Sequence, residues 1–103
     1  MTERRAFVLH VRPEKIDEYV EAHRRVWPEM LEALRAAGFR NYSIFRHGNE
    51  VFGYFEADDV DAALARMEGQ EVNARWQDAM AYLLEERVAD AGPPELEEIF
   101  RLD

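Results

Sequence analysis

An α+β domain with the element order β-α-β-β-α-β is the fold that this sequence predicts, with residues 1–103 read as one unit. Three observations carry that prediction. Short stretches with a period of two occur near the start, the middle and the end of the chain. Longer stretches with apolar residues every three or four positions lie between them. Gly, Pro, Asn and Asp stand at the junctions, where turns and helix ends favour them.

Residues 6–12 (AFVLHVR) form the first expected strand. Phe7, Leu9 and Val11 would share one face, and Ala6, Val8 and His10 the other. Pro13 then suits the first turn of a helix, with Glu14, Asp17 and Glu18 near its positive end. Ile16, Tyr19, Val20, His23, Trp27, Met30, Leu31 and Leu34 continue as a helical stripe. Pro28 lacks an N–H and clashes with the preceding turn, so a kink or break is expected near Val26 and Trp27. Gly38 is placed to end the second piece.

Residues 39–46 and 51–57 are two further strands, joined through the turn residues His47, Gly48 and Asn49. Asp58 or Asp59 can cap the next helix, whose apolar positions are Val60, Ala63, Leu64 and Met67, and Gly69 closes it. A helix over 71–87 follows, carrying Val72, Trp76, Ala79, Met80, Leu83 and Leu84. Gly92, Pro93 and Pro94 mark a loop, and residues 96–102 alternate as a last strand. This is the ferredoxin-like order with its second crossover split in two. It predicts an antiparallel sheet with helices on one face. Apolar residues occur on both strand parities, as in Phe52 and Tyr54 against Val51 and Phe55. The uncovered face is therefore expected to meet a second copy, face to face, as in a dimeric α+β barrel.

A formal net charge of −9 disfavours nucleic acid and anionic membrane surfaces, both of which attract Lys and Arg. The chain has no cysteine, which removes disulfides, thiolate nucleophiles and Cys-based zinc sites. Neither a signal peptide nor a membrane span is discernible, so the expected compartment is the cytoplasm. Three scattered histidines without metal-ligand spacing imply no metal, and no P-loop, HExxH or GxGxxG pattern points to a cofactor. Lys15 lies in an acidic, exposed-looking turn, which does not suit a Schiff base.

Tyr19 and His23 are one helical turn apart on the apolar face. An imidazole and a phenol would thus project into partly apolar space, where general acid–base chemistry is plausible because His titrates near neutrality. Spacing alone fits a hydrogen-bonded core histidine as well, and Trp27 and Trp76 fit packing. His10 and His47 read as structural or exposed.

Several segments together resemble the L-rhamnose mutarotase family: RRAFVLHVRPE, EYVEAHRRVWPEM, NYSIF, RWQDAM and ELEEIFRL, in that order from near residue 4 to residue 102. The YxxxH…WPE combination is the most specific part. The resemblance implies a homodimer without metal or organic cofactor that interconverts the anomers of a 6-deoxy aldose such as L-rhamnose, in sugar catabolism. It carries the role of catalytic proton donor to His23. It carries substrate binding to Tyr19, Tyr42 and Trp76. One departure stands out: Gln77 follows Trp76 where the family commonly has a second Trp, which bears on the identity of the sugar. Two other readings suit the same fold: a cofactor-independent monooxygenase of small aromatics, and a non-enzymatic binding or regulatory dimer.

Overall fold

The computed structural model of the protein describes residues 2–85 and 94–102. Its elements are β1 (Glu3–His10), a 3-10 turn (Pro13–Lys15), α1 (Ile16–Arg24), α2 (Pro28–Ala37), β2 (Arg40–His47), β3 (Glu50–Ala57), α3 (Val60–Glu68), α4 (Glu71–Ala81) and β4 (Glu95–Leu96). The strands form one antiparallel sheet in the order β2-β3-β1-β4, the ferredoxin-like arrangement. No helix among the described residues is long and apolar enough to cross a membrane.

The inward face of the sheet follows the expected parity. Phe7, Leu9 and Val11 face the helices together with Val51, Phe55 and Ala57, and all are buried. Tyr19, Met30, Val60, Ala63, Met67, Val72 and Trp76 close the core from the helix side. Gly53 pairs with Phe7 across the β1–β3 ladder. A Cβ on Gly53 would collide with the Phe7 ring, so only glycine lets that ring lie flat against β3.

The first crossover breaks where proline demands it. The α1 helix ends at Arg24, Trp27 is extended, and Pro28 opens α2. Gly38 ends α2 with φ 108°, a left-handed conformation that costs glycine little. The β2–β3 hairpin closes through Gly48 at φ 60° and Asn49, with His47 opposite Glu50. Positive φ at the first of two loop residues matches a type II′ turn. Asp59 caps α3 by accepting from the Ala62 N–H at 3.0 Å. Gly69 follows α3 as expected, though in a right-handed conformation.

Two expectations need correction. The last helix stops at Ala81, because the chain beyond it finds other backbone partners. Arg12 N–H donates to the Leu83 carbonyl and Glu85 N–H to the His10 carbonyl, at 2.8 Å each, so residues 83–85 bridge to the end of β1. The expected end at Arg87, like Gly92 and Pro93 of the expected loop, lies outside the described residues. The last strand is two residues long, pairing with Ala6 and Phe7, and not the seven of 96–102. Past Leu96, Arg4 binds Glu98 at 3.0 Å. Ile99, Phe100 and Leu102 remain 88%, 78% and 85% exposed.

The outward face is apolar as well. Val8, Phe45 and Phe52 lie side by side on it, flanked by Ala6, Tyr54 and Leu96. Phe45 is 66% exposed.

Replacing Gly53 with alanine forces the Phe7 ring out of its seat. Gly53→Ala is expected to lose about 1–3 kcal/mol, the usual cost of overpacking a core. A urea unfolding midpoint equal to that of the parent would contradict this reading.

Candidate active site

The α1 helix brings Tyr19 and His23 to the same side, facing β2. Tyr19 is buried and His23 half-buried. Their rings stack with centroids 4.2 Å apart. His23 Nδ1 lies 2.8 Å from the Tyr19 carbonyl oxygen. A carbonyl can only accept, so Nδ1 carries the proton and donates it. In the neutral imidazole the proton-free nitrogen is therefore Nε2. Burial lowers the pKa of His23, and the bond to the Tyr19 carbonyl opposes that shift in part. Burial also pushes the Tyr19 phenol up to about 12. At neutral pH the pair is thus a free base next to a phenol that keeps its proton.

Trp76, on α4, stands edge-on to His23 at 5.5 Å, and Trp27 stands edge-on to Trp76 at 5.1 Å. The break before Pro28 is what delivers Trp27 to this position. Together the indoles back the imidazole and limit its rotation.

The opposite wall is β2, and a bulge aims it. The register passes from Arg40 opposite Glu56 to Ser43 opposite Tyr54, which leaves one extra residue on β2. Asn41 takes it up at φ 50°, a left-handed conformation that Asn tolerates better than most residues. Its side-chain amide donates to Glu56 at 2.8 Å. Tyr42 is thereby turned toward the helices, stacked on Phe55 at 5.2 Å and edge-on to Phe39 at 6.0 Å. Burial, and then the neighbouring Tyr19, raise the Tyr42 pKa, although its place on an edge strand leaves the residue 39% exposed. Ile44 and Arg46 follow on the same face.

Between the two walls is a cavity of about 230 Å³ lined by Tyr19, Val20, His23, Arg24, Ile44 and Arg46. That is below the ~300–1,000 Å³ of drug-sized sites and suits a single sugar ring. A larger open groove, about 330 Å³, lies between α2 and α4. No imidazole or phenol lines it, and its guanidinium, Arg75, is already bound by Glu29 at 2.9 Å. The smaller cavity is the one that an imidazole and a phenol line.

Of the four site residues read from the sequence, Tyr19 and His23 line the cavity directly. Tyr42 stands next to Tyr19, and Trp76 lies behind His23. Gln77 does not line the cavity: it is exposed and its amide donates to Asn73 at 3.3 Å. Among the described residues neither the Tyr19 nor the Tyr42 hydroxyl has a protein hydrogen-bond partner, so both are available to a ligand. His10 is removed from the cavity and pairs with Glu50 at 3.4 Å. No three His, Cys, Asp or Glu side chains among the described residues converge on a metal position. Sequence reading missed Arg24, Ile44, Arg46 and the Asn41 bulge. The period-two run Tyr42, Ile44, Arg46 was the available signal.

A family model described as L-rhamnose mutarotase matches residues 4–102. The chain belongs to the L-rhamnose mutarotase family. This family interconverts the anomers of L-rhamnose in sugar catabolism. The L-rhamnose mutarotase of Bacillus subtilis is 38% identical, over 97% of this chain and 98% of that protein. That of Oceanobacillus iheyensis is 34% identical with the same coverage. The crystal structure of L-rhamnose mutarotase from Formosa agariphila superposes with a TM-score of 0.81 at 28% identity, covering 98% of this chain and 99% of that one. Membership in a mutarotase family supports an enzyme, in preference to the oxygenase and binding-dimer readings.

The lowered pKa of His23 links folding to acid. Between that value and ~6.5 the unfolded chain binds a proton that the folded one refuses. Stability is thus expected to fall as pH drops below ~6.5, and His23→Gln should flatten that slope. Nitrogen-15 spectra should show the Nδ1–H tautomer; a dominant Nε2–H signal would refute the assignment.

Proposed function

We propose that this chain is an isomerase that interconverts the α and β anomers of L-rhamnose, or of a related deoxy aldose, with His23 moving the proton. The observation that supports this reading most directly is an imidazole whose Nδ1 is tied to the Tyr19 carbonyl, leaving Nε2 to work in a sugar-sized cavity. Anomer exchange requires ring opening and reclosure. The anomeric hydroxyl gives up its proton, the C1–O1 double bond forms, the C1–O5 bond breaks and O5 takes a proton. His23 Nε2 accepts the first proton and, as imidazolium, donates it to O5, which is the donor step assigned to it. Rotation about C1–C2 presents the other aldehyde face, and the same transfers run backwards. Tyr19 stays protonated and donates a hydrogen bond to a sugar oxygen. Tyr42 supplies a second hydroxyl beside it, and Trp76, behind His23, is a positioning residue that holds the imidazole in place.

We further propose a cytoplasmic homodimer without membrane attachment. The outward sheet face with Phe45, and the exposed Ile99, Phe100 and Leu102, support a second copy as their cover. Sedimentation equilibrium should give twice the chain mass, and Phe45→Glu should give one. A parent that sediments as a monomer at micromolar concentration would rule the dimer out.

The reaction is tested by saturation-transfer NMR between the anomers of L-rhamnose, L-fucose and common aldoses. Exchange above the buffer rate is expected with a deoxy aldose. His23→Ala should lose roughly 10²–10⁴-fold, the range of a positioned acid–base group. The rate should rise with pH through the depressed pKa of His23 and level off at neutrality. A well-folded His23→Ala protein with full activity would remove His23 from the mechanism.

A further inference from the structure

Arg46 is an unassigned part of the cavity. It follows Ile44 at a period of two on β2, so both side chains face the space occupied on the other side by Tyr19, Val20 and His23. A guanidinium has five N–H donors. Among the described residues Arg46 has one hydrogen-bond partner, the Gly48 carbonyl, to which one terminal nitrogen (Nη1) donates at 3.2 Å. Arg24, which also lines the cavity, is held at 3.4 Å by Glu21, a carboxylate it shares with Arg25. Arg46 thus keeps most of its donors for something else.

The lining divides into two chemistries. Val20 and Ile44 are apolar; His23, Tyr19, Arg24 and Arg46 offer hydrogen bonds. A 6-deoxy aldose has the matching division, a methyl group at one end and hydroxyls around the ring. A guanidinium fork presents parallel N–H groups in one plane, which suits two acceptor oxygens side by side. Adjacent ring hydroxyls are such a pair.

We propose that Arg46 is a specificity-determining residue that donates to two adjacent ring hydroxyls of the aldose, with the methyl end against Val20 and Ile44. The proposal rests on the assignment of the His23 cavity as the sugar site. It gives the site a way to select by hydroxyl pattern that does not involve Gln77, whose amide is turned to Asn73.

Two variants and a series of monodeoxy sugars test it, with anomer exchange by NMR for kcat and KM and calorimetry for Kd. Arg46→Leu is expected to raise KM and Kd roughly 10- to 100-fold, as for a lost hydrogen bond to a charged group, with kcat changed less than KM. Arg46→Lys should fall between, because an ammonium keeps the charge without the fork. One monodeoxy sugar should bind the parent more weakly yet show no added loss with Arg46→Leu, a non-additivity that a merely structural role would not produce. Equal Kd values for parent and Arg46→Leu would overturn the proposal. So would deoxy penalties that are the same in both, or a loss confined to kcat. Should the leucine variant fail to fold, Arg46→Gln in the same deoxy series decides the matter. A parent that binds sugar through Arg46 but does not exchange its anomers would sink the mutarotase reading and leave this contact standing.

Discussion

Much of the site depends on how closely the Phe7 ring lies on Gly53. That approach places Phe7 against Phe55, with ring centroids 6.3 Å apart. Phe55 in turn carries Phe39 edge-on at 5.0 Å and Tyr42 stacked at 5.2 Å. On the far side of the cavity His23, Trp76 and Trp27 continue as a second aromatic cluster. The cavity is the gap between an aromatic layer built on the sheet and another built on α1 and α4. Edge-to-face and offset contacts of this kind fix ring orientation as well as burying area. A side chain at position 53 would lift the first layer, and Tyr42 would move with it.

Burial acts on the two principal polar groups in opposite chemical senses with one electrical result. It raises the Tyr19 pKa to about 12 and lowers that of His23, so both are neutral at pH 7. A neutral imidazole can take a proton, and a neutral phenol can donate a hydrogen bond without losing one. The Tyr19 carbonyl adds what burial alone cannot, because it selects the tautomer. Tyr19 therefore serves His23 twice: its backbone oxygen fixes which nitrogen is free, and its ring stacks on the imidazole.

The sequence made the helix break legible through Pro28, the caps through Asp59 and Gly38, and the inward strand parity through Phe7, Leu9 and Val11. These are local signals, settled by residues within one turn or one strand. The i, i+4 spacing of Tyr19 and His23 is equally local, and it led directly to the cavity. What was not legible depended on distant partners. The last helix stops at Ala81 because Leu83 and Glu85 find the end of β1, some seventy residues away in sequence. Residues 96–102 have the pattern of a strand, but the pairing with β1 runs from Pro94, whose carbonyl accepts from Val8 N–H, only as far as Leu96 opposite Ala6. The Asn41 bulge is likewise a register event between two strands, invisible in β2 alone.

The same strand, β2, serves both faces of the sheet. Ile44 and Arg46 line the cavity, with Tyr42 on the same face beside Tyr19, and Phe45 between Ile44 and Arg46 points to the opposite, open side. As an edge strand it is hydrogen-bonded on one side only, to β3, and every one of its residues is exposed to some degree. An edge strand with an uncovered phenylalanine is a poor support for a site that must hold a sugar to within about 0.5 Å. A second copy packed over Phe45 would clamp β2 from behind without touching the sugar. On this argument a dimer would couple assembly to catalysis through a single strand, and the covered outward face would be part of what makes the inward cavity rigid.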